Sequence, residues 1–152
     1  MPVFNVYPHN HPHGIPADLL AAHGLLLSVE ISVPQALASV LTSQRVPLPK
    51  PAVGAALVDT GASCCCVEET LLQGLELQPT SETNVSSPNG NRRQNVYFAR
   101  LTFPGSPIPA LEIPMIGVQM NQGTTISLIG RDLLRNCVLI YNGPMGSYTL
   151  SF

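Results

Sequence analysis

The chain has 152 residues, enough for one domain with a hydrophobic core but too few for a bilobal enzyme carrying two copies of a catalytic half. Apolar residues make up 45% of the chain, which excludes wholesale disorder, and charged residues make up only 11%. The net charge of −2 and the seven Lys and Arg residues disfavour a nucleic-acid-binding surface. Since no apolar run could span a bilayer and no secretory signal is visible, we expect a cytoplasmic domain with no nucleic-acid or membrane partner.

Short strands and turns are favoured because 15 prolines and 12 glycines are spread along the chain. Residues 1–24 are rich in His, Pro and Asn near their start and are predicted to form an irregular N-terminal arm, in which Asp18–His23 could make a short helical turn before Gly24. Residues 25–152 are predicted to be the folded domain. Its first strand, Leu25–Val33, is followed by an insertion at about 35–52 with helical character. The apolar run Val53–Val58 predicts a strand buried on both faces.

The second half of the chain predicts a projecting hairpin and several further strands. The hairpin covers about residues 80–103, and Asn89-Gly90 at its tip is the strongest short turn signal. Its first arm is almost wholly polar, so we expect the tip to project from the body. The other predicted elements are a short helix or turn at 68–77, a strand pair at 108–120, a strand at 124–129, a short helix at 130–136, and strands at 137–141 and 147–152. The fold class is therefore mostly β with one or two short helices.

Asp59 directly follows the apolar strand, within the sequence Asp59-Thr60-Gly61. A glycine two residues after the carboxylate lets backbone or a ligand approach closely. A carboxylate fixed in a partly buried, water-accessible turn is suited to acid–base chemistry. The alternative is that Asp59 begins an ordinary turn by accepting an Asx hydrogen bond, which is the better interpretation of the tripeptide alone.

Three of the four cysteines are adjacent, at positions Cys64, Cys65 and Cys66, and the fourth is Cys137. Adjacent cysteines cannot easily bridge one another, and zinc sites need spaced pairs rather than a contiguous triplet. We therefore expect reduced, packed thiols with no metal site and no cofactor. Reduced thiols are also consistent with the cytoplasm.

Three ordered blocks of sequence resemble the retroviral-type aspartic proteases (retropepsins), in particular their bacterial single-domain members. The first block, AALVDTGAS at residues 55–63, is similar to the active-site segment of that family. The second, ISLIGRDLL at 126–134, follows the hairpin and resembles the Gly-Arg-Asp/Asn segment. The third, YTLSF at 148–152, is similar to the closing strand. The likeness covers roughly residues 25–152 and implies a closed, barrel-like acid-protease fold with a single lobe.

This resemblance implies an aspartic endopeptidase that is active as a homodimer. Such enzymes need two carboxylates that share one proton across a bound water, and this chain has a single DTG. Asp59 would come from each of two chains, so the partners would be a second copy and a peptide or protein substrate. The residues supporting it would be Thr60, Gly61 and Ala62. The alternative is a catalytically inactive module with this fold that binds peptides or dimerises.

The resemblance also implies roles for the hairpin and for the second block. The hairpin would be a flap that closes over an extended peptide. Substrate-binding residues would be Gly61, Cys64, Cys66, Asn89, Gly90, Ile126 and Leu128. Gly130, Arg131 and Asp132 would be structural, with Arg131 paired to Glu68, to Asp132 or to a backbone carbonyl. For Cys64 and Cys66, plain core packing is an equally good interpretation.

Overall fold

A computed structural model describes residues 2–6, 16–87, 90–120 and 123–152 of the chain. Within these residues lie ten strands and four short helices. In chain order they are β1 (Val3–Val6), α1 (Pro16–His23), β2 (Leu25–Ser32), α2 (Gln35–Ser43), β3 (Ala52–Val58), β4 (Cys66–Glu68), α3 (Glu69–Gly74), β5 (Ser81–Ser87), β6 (Gly90–Thr102), β7 (Leu111–Val118), β8 (Thr125–Ile129), α4 (Arg131–Leu134), β9 (Val138–Asn142) and β10 (Ser147–Ser151). The prediction of a mostly β chain is confirmed.

Six of the strands close into a barrel, in the order β2-β3-β8-β4-β7-β6. The barrel closes where Glu30–Ser32 of β2 pairs with Arg100–Thr102 of β6. Closure matters because an open sheet would leave two edges with unpaired backbone groups. The remaining strand of this sheet, β5, pairs with the outer half of β6 and forms the projecting hairpin with it. The closed barrel with a single lobe is thus confirmed.

The interior of the barrel is filled by alternate residues of its strands. In β2 the inward residues Leu25, Leu27, Val29 and Ile31 are at most 8% exposed, and the residues between them are half-buried or exposed. This period of two is what a strand with one buried face requires. Burying one such side chain contributes about 1.5–3 kcal/mol, so the inward rows provide much of the stability of the barrel.

The strands β3 and β8 run parallel, and this pairing positions the candidate site. Parallel strands end at the same edge of a sheet, so the residues that follow them come together. Val58 pairs with Ile129, and the N–H of Asp59 donates to the carbonyl of Ile129 at 3.0 Å. Asp59 and Gly130, which lie 71 positions apart in the sequence, are therefore neighbours at one edge of the barrel.

A second sheet joins the two ends of the chain, in the order β1-β10-β9. Phe4 pairs with Leu150, and the buried Tyr148 donates from its hydroxyl to the carbonyl of Leu26 at 2.7 Å, which attaches this sheet to the barrel. The expected irregular arm at 1–24 is therefore corrected at Val3–Val6, which is a strand, whereas the helical turn expected at Asp18–His23 is present as part of the helix Pro16–His23. The strand escaped prediction because it depends on pairing with the far end of the chain.

Two further expectations about local structure are corrected. A strand pair was expected at 108–120, but this part of the chain forms one strand, β7, preceded by a turn in which Ser106 N–H donates to Phe103 at 3.1 Å. The run at Val53–Val58 is not buried on both faces throughout, because Val53 is 68% exposed. Among the described helices, none is long and apolar enough to cross a membrane.

Candidate active site

Asp59 opens a tight loop of residues 59–65 that connects β3 to β4. Its carboxylate oxygen Oδ1 accepts a hydrogen bond from the N–H of Gly61 at 2.8 Å, which is the Asx turn that the sequence left as an alternative. A Cβ atom at position 61 would lie 3.0 Å from that oxygen. Because this is closer than ordinary contact, a side chain at Gly61 would displace the carboxylate. The turn therefore orients the half-buried Asp59 carboxylate as well as reversing the chain.

Arg131, the first residue of α4, fastens the beginning of this loop. Its guanidinium nitrogen Nη1 donates to the carbonyls of Thr60 at 2.8 Å and Gly61 at 3.0 Å. Its backbone N–H donates to the carbonyl of Ala62 at 2.9 Å. Of the three partners that the sequence left open, backbone carbonyls are the ones the arginine uses. Glu68 instead accepts from the N–H of Met120 at 2.7 Å.

Asp132 fastens the end of the loop. Its Oδ2 accepts from the N–H of Cys65 at 2.9 Å, and its Oδ1 accepts from the Cys65 thiol at 3.1 Å and from the N–H of Leu133 at 2.8 Å. Cys65 is fully buried, and this burial, with the neighbouring Asp132 carboxylate, raises the pKa of its thiol. The thiol therefore stays protonated and continues to donate to Asp132.

Gly130 lies directly against the backbone of Cys64. A Cβ atom at position 130 would overlap the carbonyl group of Cys64, so a side chain there requires the loop or the β8–α4 corner to move. The backbone of Cys64 is consequently held against Gly130, while Asp132 bonds its neighbours Ser63 and Cys65 and Arg131 bonds the earlier loop residues. The three residues of the Gly-Arg-Asp segment thus all contact the loop that carries Asp59.

A cleft of about 620 Å³ opens beside this loop. Its wall on the loop side includes four predicted residues, Gly61, Ala62, Cys64 and Cys66, together with Leu128 on the adjacent strand β8. The other lining residues are Ser63, Thr83, Asn84, Val85, Ser86, Ile116, Val118, Gln119 and Met120. The structure therefore brings most of the predicted substrate-binding residues to one cavity. The first residue of the loop that lines the cavity is Gly61, two positions after Asp59.

Two of the remaining predicted substrate-binding residues, Ile126 and Gly90, are not among the residues that line this cavity. Ile126 packs over Gly54, where an added Cβ would come within 2.8 Å of its Cγ2 atom. Gly90 is exposed near the end of the hairpin and pairs with Ser87. Asn89 lies outside the described residues.

The hairpin reaches the cleft through the middle of its first arm, Thr83–Ser86, for which the sequence predicted only a polar strand leading to a projecting tip. The available signal was weak, since the only apolar side chain in that arm is Val85. Val85 and Thr83 are half-buried, whereas Asn84 and Ser86 between and beyond them are exposed. The arm is thus a two-sided strand, and both of its faces help to line the cavity.

Glu69 connects α3 to the base of the hairpin. Its Oε1 accepts from the side-chain amide of Asn95 and from the hydroxyl of Tyr97, both at 2.8 Å. At Val96, between these two donors, β6 ends its pairing with β5 and begins its pairing with β7. Burial, and the hydrogen bond to Glu69, raise the pKa of Tyr97, so its hydroxyl remains a donor. Glu69 therefore ties the body of the protein to the point from which the hairpin projects.

Comparison with known proteins gives similarity at the level of structure alone. No protein-family model matches the chain, and no curated protein matches it. The solution structure of simian foamy virus (mac) protease is similar with a TM-score of 0.46 and 17% identity, covering 73% of this chain and 92% of that one. EIAV protease complexed with the inhibitor HBY-793 is similar with a TM-score of 0.42 and 17% identity, covering 55% of this chain and 76% of that one. At these scores the likeness supports no inference about chemistry.

Proposed function

We propose that the chain is one half of an aspartic endopeptidase, in which Asp59 from each chain of a homodimer activates a water molecule to hydrolyse peptide bonds. One observation carries the proposal. The single DTG carboxylate is oriented by Gly61 N–H beside a cleft, at the barrel edge where the DTG and Gly-Arg-Asp segments meet. The resemblance of these segments to the retropepsins supports the same interpretation.

The chemistry follows from two carboxylates brought close together. Two carboxyl groups close enough to share a water molecule do not both ionise, because their like charges would repel, so the pair holds one proton. The ionised carboxylate takes a proton from the water, which attacks the scissile carbonyl carbon, while the protonated one donates to the carbonyl oxygen. In each chain Gly61 N–H would hold one oxygen of its own Asp59 carboxylate, and Arg131 and Asp132 would keep the supporting loop from moving. Positioned acid–base groups are worth about 10²–10⁴-fold in rate.

The cleft suits an extended peptide with apolar side chains. Ile116, Val118 and Leu128 line it with apolar surface, and the hairpin arm Thr83–Ser86 lies along it. A peptide bound in extended conformation presents alternate side chains to opposite walls, which is how such clefts obtain specificity. Closure of the hairpin over the peptide would exclude bulk water from the reaction.

The homodimer is proposed because one chain supplies one DTG carboxylate. A suitable contact surface exists on the outer face of the β1-β10-β9 sheet. Val3, Ser151 and Val138 are paired across the three strands, so they form one row on that face, and Val3 and Val138 are 54% and 51% exposed. Ile140, in the next row, is 58% exposed. Burying these apolar side chains against a second copy would favour association.

A subunit-mixing experiment tests both the carboxylate and the dimer. Asp59→Asn should fold with unchanged stability and hydrolyse no peptide. When the wild type is mixed with an equal amount of this variant, random pairing should reduce the activity per wild-type chain to about half, because only wild-type pairs hold two carboxylates. An unchanged activity per wild-type chain would contradict the shared site, and an active Asp59→Asn variant would contradict the chemistry.

The same pair of proteins separates this proposal from an inactive peptide-binding module. Such a module would bind an apolar peptide equally well as the wild type and as Asp59→Asn, and neither protein would cleave it. For the setting of the activity we propose the cytoplasm, since all four cysteines are free thiols and a reducing compartment would keep them so.

A further inference from the structure

Glu68 holds part of the cleft wall without lining the cleft itself. Val118, Gln119 and Met120 are three consecutive residues of that wall. Val118 is the last residue of β7 and pairs with Glu68. Gln119 and Met120 therefore lie beyond the end of the sheet. The carboxylate oxygen Oε2 of Glu68 accepts a hydrogen bond from the N–H of Met120 at 2.7 Å. We propose that Glu68 is a positioning residue for the substrate, which keeps Gln119 and Met120 at the cleft wall where a bound peptide contacts them.

The parallel pairing of β4 with β7 explains why a side chain is needed at this point. The N–H of Ile116 donates to the carbonyl of Cys65 at 3.0 Å, and in a parallel pair such bonds recur at every second residue. Two steps further along, the N–H of Met120 would need the carbonyl of Glu69. That residue begins α3 and no longer belongs to the strand. The Glu68 carboxylate therefore takes the place of a strand partner for the N–H of Met120.

The second oxygen of the same carboxylate is also bonded. Oε1 of Glu68 accepts from the hydroxyl of Thr70, on α3, at 3.2 Å. Glu68 is half-buried, and a hydrogen bond from a backbone N–H to a carboxylate is stronger than one to a neutral acceptor. Each oxygen thus has its own donor, and the carboxylate joins the residues beyond β7 to the corner between β4 and α3.

The consequence for the substrate rests on the function proposed above. A peptide that contacts Gln119 and Met120 would have to order them on binding if Glu68 did not already do so, and such ordering weakens affinity. Glu68 therefore lowers KM by holding this part of the wall in place before the peptide arrives. The turnover number kcat does not depend on it, because the loop that carries Asp59 is fastened by the Gly-Arg-Asp segment instead.

Glu112 provides a matched control. Its Oε1 accepts from the N–H of Gln35 at 2.6 Å, so it too joins two distant segments through a carboxylate and a backbone N–H. It also pairs with Arg100 at 3.3 Å. Neither Glu112 nor its two partners are among the residues that line the cleft. Glu112→Ala therefore removes a bond of the same kind, with the stability that the bond provides, and leaves the cleft wall as it is.

The experiment measures peptide binding apart from hydrolysis. The probe is an acetylated and amidated octapeptide of alternating leucine and serine, which is uncharged because no described lining residue is Lys, Arg, His, Asp or Glu. Isothermal titration calorimetry gives its affinity for Asp59→Asn, alone and combined with Glu68→Ala, Glu68→Gln or Glu112→Ala. The values of kcat and KM for the same peptide are measured in proteins that keep Asp59. Hydrogen exchange at the amide of Met120 is followed in each protein.

We expect Glu68→Ala to weaken peptide binding and to raise KM by about tenfold, as the loss of one hydrogen bond to a charged group would. The value of kcat should stay unchanged, and the amide of Met120 should exchange faster. Glu68→Gln keeps an acceptor oxygen and should restore affinity and protection, and Glu112→Ala should alter neither.

Four results would each overturn the proposal. They are an unchanged affinity in Glu68→Ala, an equal loss in Glu112→Ala, no restoration in Glu68→Gln, and no binding of the peptide to Asp59→Asn. If the peptide binds as expected but the wild type does not hydrolyse it, the proposed function fails and the role of Glu68 in binding stands.

Discussion

The hydrogen bonds of Glu69 provide a quantitative test of how the hairpin is held. Tyr97 is only 2% exposed, and its hydroxyl donates to Glu69 at 2.8 Å. A hydrogen bond to a charged group contributes about 1.5–3 kcal/mol net, and a buried hydroxyl left without its acceptor costs about 1–3 kcal/mol. We therefore expect Tyr97→Phe to lower the free energy of unfolding by about 2 kcal/mol. Glu69→Ala, which also loses Asn95, should lower it by about 3–4 kcal/mol.

A double-mutant cycle isolates the pair. The coupling free energy between Glu69 and Tyr97 should be about 1.5–3 kcal/mol. It is measured by urea unfolding of the wild type, Glu69→Ala, Tyr97→Phe and the double variant. Glu69→Gln keeps an acceptor oxygen in the same place, so it should lose only the charge-assisted part, about 1 kcal/mol. This variant controls for the volume of the side chain.

Hydrogen exchange then tests the role of Glu69 at the base of the hairpin. Glu69→Ala should speed the exchange of the amides of 90–96, which pair with β5, more than those of β7, which lie in the barrel. A coupling free energy below about 0.5 kcal/mol, within the error of additivity, would refute the reasoning. Equal acceleration in β7 and in the hairpin would mean that Glu69 stabilises the whole barrel instead of this junction.

Two further predictions concern the loop that carries Asp59. Gly130→Ala should destabilise the protein by about 1–3 kcal/mol and abolish peptide hydrolysis, because the added Cβ would push against the Cys64 backbone. Gly74→Ala is the control, since an added Cβ there meets nothing within 4 Å. Equal urea midpoints for the two variants would contradict the contact between Gly130 and Cys64. The raised pKa of Cys65 predicts loss of stability above about pH 8.5, since unfolded thiols release protons there that the native thiol keeps. Cys65→Ala should reduce that slope by about 1.4 kcal/mol per pH unit in urea titrations, and an unchanged slope would count against a buried, protonated thiol.

The elements determined by local sequence were predictable. The hairpin at 80–103, the short helix after Gly130 and the last two strands follow from turn residues and from apolar patterns that repeat every two or four positions. The DTG and Gly-Arg-Asp blocks could be singled out because each is a contiguous motif, the first as the candidate catalytic segment and the second as a structural one. The choice of Asp59 as the candidate catalytic residue therefore needed no structure.

Contacts between distant segments were decided only by the tertiary structure. Parallel pairing of β3 with β8 brings Asp59 beside Gly130, and neither strand carries a local signal of that pairing. The partners of Arg131 are backbone carbonyls, which every residue possesses, so composition could not select them. The strand Val3–Val6 likewise exists through its hydrogen bonds to β10.

Chain length and motif content thus limit what one chain can supply, and the fold decides which side chains line the cleft. Length and a single DTG are sequence properties, and from them alone comes the proposal that each chain supplies one carboxylate of a pair. Which side chains line the cleft was decided by the barrel, because strand pairing determines the face that each residue shares with its neighbours. Strand pairing places Cys66 beside Leu128 on the cleft wall, whereas Ile126 packs over Gly54. A motif specifies its own residues, whereas a cavity depends on every segment that surrounds it.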